Sequence, residues 1–597
     1  MVTATGAQII IKILESKGIK TVFGIPGGMI LPLYDELAKS TIQHVLVRQE
    51  QAGGFMAQGT ARITGKAAVC LATSGPGAMN LLTAIADARS DSVPLIAITG
   101  QVDSAAVGTD AFQETDTFGL SMPICKHSTM VKSAKELLDV LPKAFDIAES
   151  GRPGPVLIDV PHDVFEDKCS FENWDFLASI NKTDSCGHLV KTEDKCENAH
   201  YVHTPYTHKM QSLDSLCAVS SDLFAKSGRA VLFCGGGAVC SKGAPALIQQ
   251  FSQKFSVPVC TSLMGLTVEP SGTPLFCGMV GMHGSYTANR VMYESDLVIA
   301  VGVRFDDRAT GIAEKFCPNA KIIHIDIDAA EINKIYQSSV AISCDAADAL
   351  AVLLKKIDTP ECRPAVERNK EFWQKNIPLY AKEMENIYPK DEKHPAQFLP
   401  RIEALYRKLN GGSPYVTTDV GQHQMFVAQC FPFRFERQFL TSGSLGTMGF
   451  GLPAAIGAAM QCMDSRVLCF SGDGSILMNI QELATLAEQN LDVTVFVLDN
   501  ECLGMVRQQQ EVLYKANYSG VLYSKMPDFV ALAESFGIKA FELDDFSRFD
   551  EIMTEALSGS GPRFVHIPLE KYNVLPFVAG GKPNIEPVRV KKCTKLK

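Results

Sequence analysis

The sequence predicts an α/β protein of three doubly wound parallel-sheet domains, and three observations predict it. Short β-branched runs alternate with longer helical patterns along almost all of the 597 residues. The runs are apolar on both faces, as strands covered by helices on either side must be. The rhythm occurs three times, separated by two polar stretches without periodicity. In the first third the runs are Thr21–Ile25, His44–Val47, Ala67–Leu71, Leu95–Thr99 and Val156–Val160. In the middle third they are Ala230–Cys234, Val257–Cys260, Leu297–Val301, Lys321–Ile325 and Val340–Ser343. The last third has Tyr415–Thr418, Val467–Phe470, Val493–Leu498 and Arg563–Ile567. The expected organisation is an N-terminal domain over 1–165, a polar linker over 166–216 and a central domain over 217–358. A second linker over 359–394, a C-terminal domain over 395–575 and a tail over 576–597 complete it.

Composition narrows the function classes. With 46% hydrophobic and 20% charged residues, disorder, collagen and coiled coil are excluded as the main character of the chain. A net charge of −10, with no long basic run before the extreme C-terminus, argues against nucleic-acid or anionic-membrane partners. No run of 18 or more apolar residues exists to span a bilayer. The N-terminus leads straight into an amphipathic pattern (Ile9, Ile10, Ile13, Leu14), without the features of a signal or transit peptide, so a cytoplasmic location is expected. The 18 cysteines form no CxxC pair, and Cys70, Cys234, Cys260 and Cys469 sit inside apolar runs, which suits buried thiols. The first linker carries Cys186, His188, Cys196, His200, His203 and His208. Their spacing fits no standard structural-zinc arrangement, so a solvated linker without metal is expected.

The sharpest chemical signal is Gly472-Asp473-Gly474-Ser475 after one strand, with Asp499-Asn500 closing the next. Both ends fall at the carboxyl edge of the sheet, where open α/β sheets bind ligands. Asp473, the Asn500 side chain and a backbone carbonyl near Cys502 would give a hard cation such as Mg²⁺ its protein oxygens, with diphosphate oxygens completing the shell. The glycines let the backbone approach phosphates, and a helix expected to start near Asn479 would aim its dipole at them. An isolated GDG turn is a weak signal, because Asp-Gly often only makes a turn. Joined to Asn500 at this interval, the stretch GDGSILMNIQELATLAEQNLDVTVFVLDN resembles the thiamine diphosphate motif of thiamine-dependent enzymes. Asp499 departs from it, standing where a first Asn is usual. Such enzymes need a carboxylate against the aminopyrimidine ring, and Glu50, just past the strand His44–Val47, is the candidate. A Glu at a helix start is also what the helix dipole alone favours.

From about Gly6 to Pro568 the chain is similar to the catalytic large subunits of acetohydroxyacid synthases. The matching stretches include GIPGG, RQEQ, SGPGAMNLLTAIADA, GTDAFQETD, GRPGPVLIDVP, GMHG, VRFDDRATG, IIHIDIDAAEI, TTDVGQHQM and TSGSLGTMGFGLPAAIGA. This resemblance implies thiamine diphosphate, Mg²⁺ and a structural FAD. It implies decarboxylation of pyruvate and transfer of the hydroxyethyl carbanion to a second 2-oxoacid, either pyruvate or 2-oxobutyrate. By position, Glu50 resembles the activating glutamate; Gly421, Gln422, His423, Gly472, Asp473, Gly474, Ser475, Asn500 and Met505 resemble the diphosphate grip. Met448 resembles the wedge that bends the cofactor, although outside this context plain core packing would be the simpler role. Gly28, Gln113 and Lys126 resemble residues near the reacting centre. Arg308 resembles the arginine that recognises the second oxoacid, with a solvated loop or an FAD contact as its alternatives. Phe112, Met282, Val506 and Gln509 fall in the substrate pocket. Arg152, Gly235, Gly236, Gly237, Met282, His283, Arg304, Asp326 and Asp345 occupy FAD-like positions, and Cys502 joins Asp473 and Asn500 as a metal position. A homodimer or homotetramer, with a small regulatory subunit, is implied as well. A pyruvate oxidase or decarboxylase of the same superfamily is the competing enzyme reading, and a silent paralogue the competing non-enzyme one.

Two departures carry weight. Ser444 stands where the family usually has Gly, which bears on FAD-side contacts. Gln509 stands where many members have the Trp that favours 2-oxobutyrate over pyruvate. Losing that ring face removes about 1 kcal/mol or more of discrimination. Mixed pyruvate and 2-oxobutyrate should therefore give a product ratio less biased to the larger acceptor than in Trp-containing members, with poor sulfonylurea inhibition. A ratio equal to theirs would contradict this.

Overall fold

The computed structural model describes residues 1–175, 212–462 and 464–588. Each third of the chain builds one six-stranded sheet in which all neighbours are parallel. The first sheet runs Gln43–Leu46, Thr21–Gly24, Ala68–Ala72, Leu95–Gln101, Pro155–Pro161, His127–Met130. The last runs Phe439–Leu440, Tyr415–Thr418, Val467–Gly472, Val493–Asp499, Arg563–Pro568, Lys539–Glu542. Numbered within their own domains, both wind 2-1-3-4-6-5. The central sheet runs Phe276–Met279, Val259–Thr261, Ala230–Cys234, Leu297–Val301, Lys321–Asp326, Val340–Ser343, which is 3-2-1-4-5-6, the order of dinucleotide-binding folds.

The sequence pattern finds the interior strands of all three sheets. The four it misses, His127–Met130, Phe276–Met279, Phe439–Leu440 and Lys539–Glu542, are all edge strands. Edge strands are short and half exposed, so they lack the two-sided apolar run that marks a covered strand. Cys70, Cys234, Cys260 and Cys469 are free and buried. Among the described residues no helix is long and apolar enough to cross a membrane.

The polar stretches are more structured than their composition suggests. Within 166–216, Lys168–Phe171 pairs antiparallel with Val2–Thr5, and a helix already begins at Leu213. The Cys/His cluster of that stretch lies outside the described residues. Where the pattern predicts a crossing over 359–394, the helix Arg363–Glu383 instead docks on the central sheet. Its buried positions are Ala365, Asn369, Trp373 and Tyr380, a stripe too narrow to register in a charged sequence. Trp373 Nε1 donates to the Ala230 carbonyl at 3.0 Å, and Asn369 Oδ1 accepts from Ala230 N at 2.8 Å. The expected tail is likewise packed as far as 588: Phe577 and Val578 are buried, and Val578 N donates to Met282 O at 2.9 Å.

First and last domains meet along the helices Glu50–Thr64 and Gly451–Ala459. Gly59 backs onto the Ala454 carbonyl and Gly457 onto that of Met56, and a β-carbon on either would overlap it. Thr60 Oγ1 adds a hydrogen bond to Gly457 O at 2.9 Å. Backbone touches backbone here, so Gly457→Ala must push the helices apart. Overpacking of this kind costs about 1–3 kcal/mol, so the variant's thermal unfolding midpoint should drop by a few degrees. An unchanged midpoint would show that the contact tolerates a methyl group.

Candidate active site

The last domain's cavity is built at the point where its strand order reverses. Strands Tyr415–Thr418 and Val467–Gly472 end there in Asp419–Gly421 and Asp473, with Val493–Asp499 ending alongside in Asn500. The cavity, about 250 Å³, is lined by Gly421, Gln422, His423, Gly446, Met448, Gly472 to Ser475, Asn500, Cys502 and Gly504 to Val506 among others. Three helices start at its wall: Gln422–Cys430, the single turn Asp473–Ile476, and Gly504–Leu513. Their N-terminal N–H groups make an anion site. No helix starts at Asn479, contrary to the sequence expectation; the chain turns there and resumes helix at Glu482. Asn479 is used as a tie, its Nδ2 donating to Gly449 O at 2.7 Å.

The electrostatics suit a diphosphate with a cation. His423 is buried, its pKa pushed down to about 3 by desolvation, and its Nε2 has no hydrogen-bond partner. A neutral imidazole with an unspent buried nitrogen is ready for a polar ligand. Gly421 and Gly472 are required beside it, since a β-carbon on either would press on the imidazole ring. Asp473 is held by the N–H groups of Gly474 at 2.9 Å and Cys502 at 3.1 Å. Burial, and then the neighbouring Asp499 carboxylate, raise its pKa. Asp499 is anchored from the other side by His566 Nε2 at 3.0 Å. Two carboxylates this close, out of water, suit a bound cation. Among the described residues no three His, Cys, Asp or Glu side chains cluster as a metal site, and the oxygens that line this corner of the cavity come from Asp473, Asn500 and the backbone. Asn500 Nδ2 donates to Gln422 Oε1 at 3.1 Å, which turns its oxygen away from Gln422. Ser475 keeps its hydroxyl in the turn, accepting from Gly472 N at 3.0 Å.

A second constellation lies on the first domain, again where the strand order reverses. Glu50 opens the helix Glu50–Thr64, and its Oε2 accepts from Asn80 Nδ2 at 3.0 Å. Near it are Gly77, whose β-carbon would sit 3.4 Å from Glu50 Oε1, and Gly27, packed on Thr73. Gly28 faces open space. Thr73 Oγ1 and Ser74 Oγ are buried without partners. Asn80, Thr73 and Ser74 escaped the sequence analysis although their motif, SGPGAMN, is in plain view. Gln113, at φ +60°, packs its backbone on Gly75, and Phe112 is 85% exposed. None of these residues lines the last domain's cavity of the same chain. Lys126 is committed elsewhere: its ammonium donates to the carbonyls of Ile147 and Ser150, capping the helix Ala134–Glu149. Burial brings its pKa down to about 8.

The central-domain candidates are mostly engaged with the protein itself. Arg152 pairs with Glu331 at 2.7 Å and Asp328 at 3.2 Å. Arg304 donates to Ser90 O at 2.6 Å and to Ser444 Oγ. Asp345 caps the helix Ala346–Ile357 and accepts from Ser241 Oγ at 2.7 Å. Asp326 takes the Asp328 N–H at 2.8 Å. Gly235 and Gly237 pack tightly on Gly302, whereas Gly236 meets only Met264. Met282 N donates to Arg308 O at 3.0 Å. The His283 Nδ1 is buried without a partner, and the Arg308 guanidinium nearby is largely exposed. Gln509 is half-buried on the helix Gly504–Leu513, about one turn beyond Met505 and Val506.

Comparison with known proteins fits this geometry. The N-terminal TPP binding domain of thiamine pyrophosphate enzymes matches residues 4–120, their central domain 220–353 and their C-terminal TPP binding domain 419–567. The fold and the cavity are therefore those of a thiamine pyrophosphate enzyme. The chain is 44% identical over 586 residues to the acetolactate synthase isozyme 1 large subunit of Escherichia coli, covering 98% of this chain and 97% of that one. It is 41% identical over 592 residues to a probable acetolactate synthase large subunit of Methanocaldococcus jannaschii, covering 98% and 96%. Isozyme 2 of Escherichia coli is 40% identical over 585 residues, covering 97% and 98%. The chain belongs to the acetolactate synthase large-subunit family.

The cavity's tightest point gives a test. A β-carbon on Gly504 would overlap Gln422 Oε1 and come within 2.8 Å of Asn500 Nδ2. Gly504→Ala should weaken thiamine diphosphate binding about fivefold, the cost of about 1 kcal/mol for one disturbed amide–amide hydrogen bond, as read by calorimetric titration with Mg²⁺ present. Unchanged affinity would remove the Gln422–Asn500 pair from the grip.

Proposed function

We propose that this chain is the catalytic large subunit of an acetolactate synthase, which decarboxylates pyruvate and joins the remaining two-carbon unit to a second 2-oxoacid at the first common step of branched-chain amino-acid biosynthesis. The observation that carries it is a cavity on the last domain lined by N–H groups, His423 and Asp473, complemented by the Glu50–Asn80 pair on the first, in a chain similar end to end to proteins of that name. When bound, thiamine diphosphate would supply a nucleophilic carbon and, beside it, a cationic ring nitrogen able to take up the electron pair left by departing CO₂.

The chain's own residues do the rest. The N–H groups around Gly421, Gln422 and Gly472 to Ser475, with His423 and Met505, would hold the diphosphate. Asp473, Asn500 and the Cys502 backbone would hold Mg²⁺ against it. Met448, lining the same cavity, would support the bent cofactor ring. Glu50, fixed by Asn80, would share a proton with the aminopyrimidine nitrogen, a role that needs one carboxylate oxygen free. Arg308, exposed and paired only at 3.9 Å with the neighbouring Asp307, suits the carboxylate of the second oxoacid. Gly28, Phe112, Gln113 and Lys126 would line the approach, Lys126 by exchanging its helix-capping carbonyls for substrate. Val506, Gln509 and Met282 would bound the acceptor side. A structural FAD belongs to the same reading, supported by the dinucleotide-type strand order, the Gly235–Gly237 turn and the unspent His283 nitrogen. A cytoplasmic location and a small regulatory subunit fit relatives described as large subunits.

Glu50 and the cradle do not share a cavity within one chain, so a complete site calls for two copies, with the first domain of one facing the last domain of the other. Purified protein with pyruvate, Mg²⁺ and FAD should form acetolactate only when thiamine diphosphate is added, and Glu50→Gln should abolish it. Pyruvate consumed without acetolactate would point to an oxidase or decarboxylase instead. Co-refolding equal amounts of Glu50→Gln and Asp473→Asn chains should restore roughly a quarter of wild-type activity, because half of the random pairs carry one intact site of two. No recovery would mean that each site is built by one chain.

A further inference from the structure

The loop that carries Met448 is held largely from outside its own domain. Between Ser442 and Gly451 the chain makes no ladder, and it bends through Gly446 at φ +71° and Gly449 at φ +91°. Its path is set by carboxylates at both ends. On the far side, Asp419 accepts from Gly449 N at 2.8 Å and Gly451 N at 3.0 Å, while Asn479 holds Gly449 O. On the near side the anchors belong to the first domain, at the end of the helix Pro76–Ser90 and just beyond it. Asp91 Oδ1 accepts from Ser444 N and Oδ2 from Gly443 N, both at 2.9 Å. Asp87 Oδ1 accepts from Thr447 Oγ1 at 2.9 Å and from the Ser442 hydroxyl, which in turn accepts from Thr447 N at 2.8 Å.

We propose that Asp87 and Asp91 are positioning residues for thiamine diphosphate, fixing from the first domain the loop whose Met448 supports the cofactor ring in the last. The inference rests on the reading of Met448 given above. Both carboxylates are fully buried, and Arg62 serves them jointly, 2.9 Å from Asp91 and 3.8 Å from Asp87, with its guanidinium over the Phe450 ring at 5.2 Å. A buried pair of acids with one arginine is a poor source of stability compared with apolar packing. Its return is geometric. Asp91 uses both oxygens on successive N–H groups, a pattern only a carboxylate provides, and Met448 is suspended between these anchors and Asp419. Ser444 extends the clasp to the central domain through Arg304. Loosening one end lets the wedge shift by an ångström or so, enough to misplace a reacting group by a catalytically costly amount.

The test separates ring from diphosphate. Asp91→Asn places an amide NH₂ against an N–H donor; Thr447→Val removes a single hydroxyl and guards against a folding defect in the first variant. Each full-length protein is titrated with thiamine diphosphate and, separately, with inorganic diphosphate, both with Mg²⁺, and assayed for acetolactate. Affinity for thiamine diphosphate should fall about tenfold and kcat with it, the effect of one lost charged hydrogen bond. Inorganic diphosphate binding and the KM for pyruvate should stay within about twofold, since His423, Asp473 and Asn500 are untouched. Met448→Ala should reproduce the same pattern. Equal losses for both ligands, or no loss for either, would overturn the positioning role. A wild-type protein that binds thiamine diphosphate no better than inorganic diphosphate would overturn the reading of Met448 beneath it.

Discussion

The contact on which the rest of the molecule depends is the close approach of Glu50–Thr64 to Gly451–Ala459. Two glycines, one on each helix, bring backbone against backbone, and Phe55, Ala84, Phe450 and Ala454 close a small apolar cluster around the crossing. Phe55 and Phe450 meet edge to face with ring centroids 5.4 Å apart. Docking at this separation carries the helix Pro76–Ser90 alongside Ser442–Thr447, where Asp87 and Asp91 find their N–H and hydroxyl partners. It also places Arg48 against the last domain, its N–H on Glu482 at 2.9 Å and its guanidinium on Glu488 at 2.7 Å. Packing comes first, and the polar ties become available because of it.

That sequence of causes explains an otherwise uneconomical feature, the number of buried acids around one loop. Asp87, Asp91 and Asp419, from both domains, are all taken out of water against this one loop. Burial raises the pKa of Asp419 to about 6 even though three backbone N–H groups donate to it. Asp91 and Asp419 are matched by N–H donors, and Asp87 by hydroxyls, on the segment Ser442–Gly451, which forms no ladder. Carboxylates here do the work that strand pairing does elsewhere. They leave the cavity wall irregular without leaving its backbone unsatisfied.

Legibility in the sequence followed from how many physical requirements coincided on a residue. Interior strands were legible because coverage on both faces forces an unbroken apolar run. Four of the six edge strands were not, and neither was the helix Arg363–Glu383, whose core stripe of four residues hides in charge. At the cavity, Gly472, Asp473 and Asn500 were legible because a strand end, a close phosphate approach and a cation all select them. Asn80 was not singled out because its one partner, Glu50, lies 30 residues back, nor were Thr73 and Ser74, whose hydroxyls are buried without partners. Asp87 and Asp91 were invisible for a sharper reason: their partners, Ser442 to Thr447, stand more than 350 residues away. Lys126 is a different case: the resemblance put it near the reacting centre, and in the structure its ammonium donates to carbonyls at a helix end.

The first and last domains share one strand order, and their chemistry sits at the same place in it, yet what they hold is different. In the last domain the strand ends carry Gly421, His423 and Asp473, which present N–H groups, a neutral imidazole and a cation site. In the first they carry Gly28, Thr73 and Glu50, which present an open turn, unspent hydroxyls and a carboxylate. One topology thus places two different sets of polar groups at equivalent strand ends. The fold decides only where a site lies. The two constellations line no common cavity within one chain, so the same topology, used twice, leaves each domain with only its own set of groups.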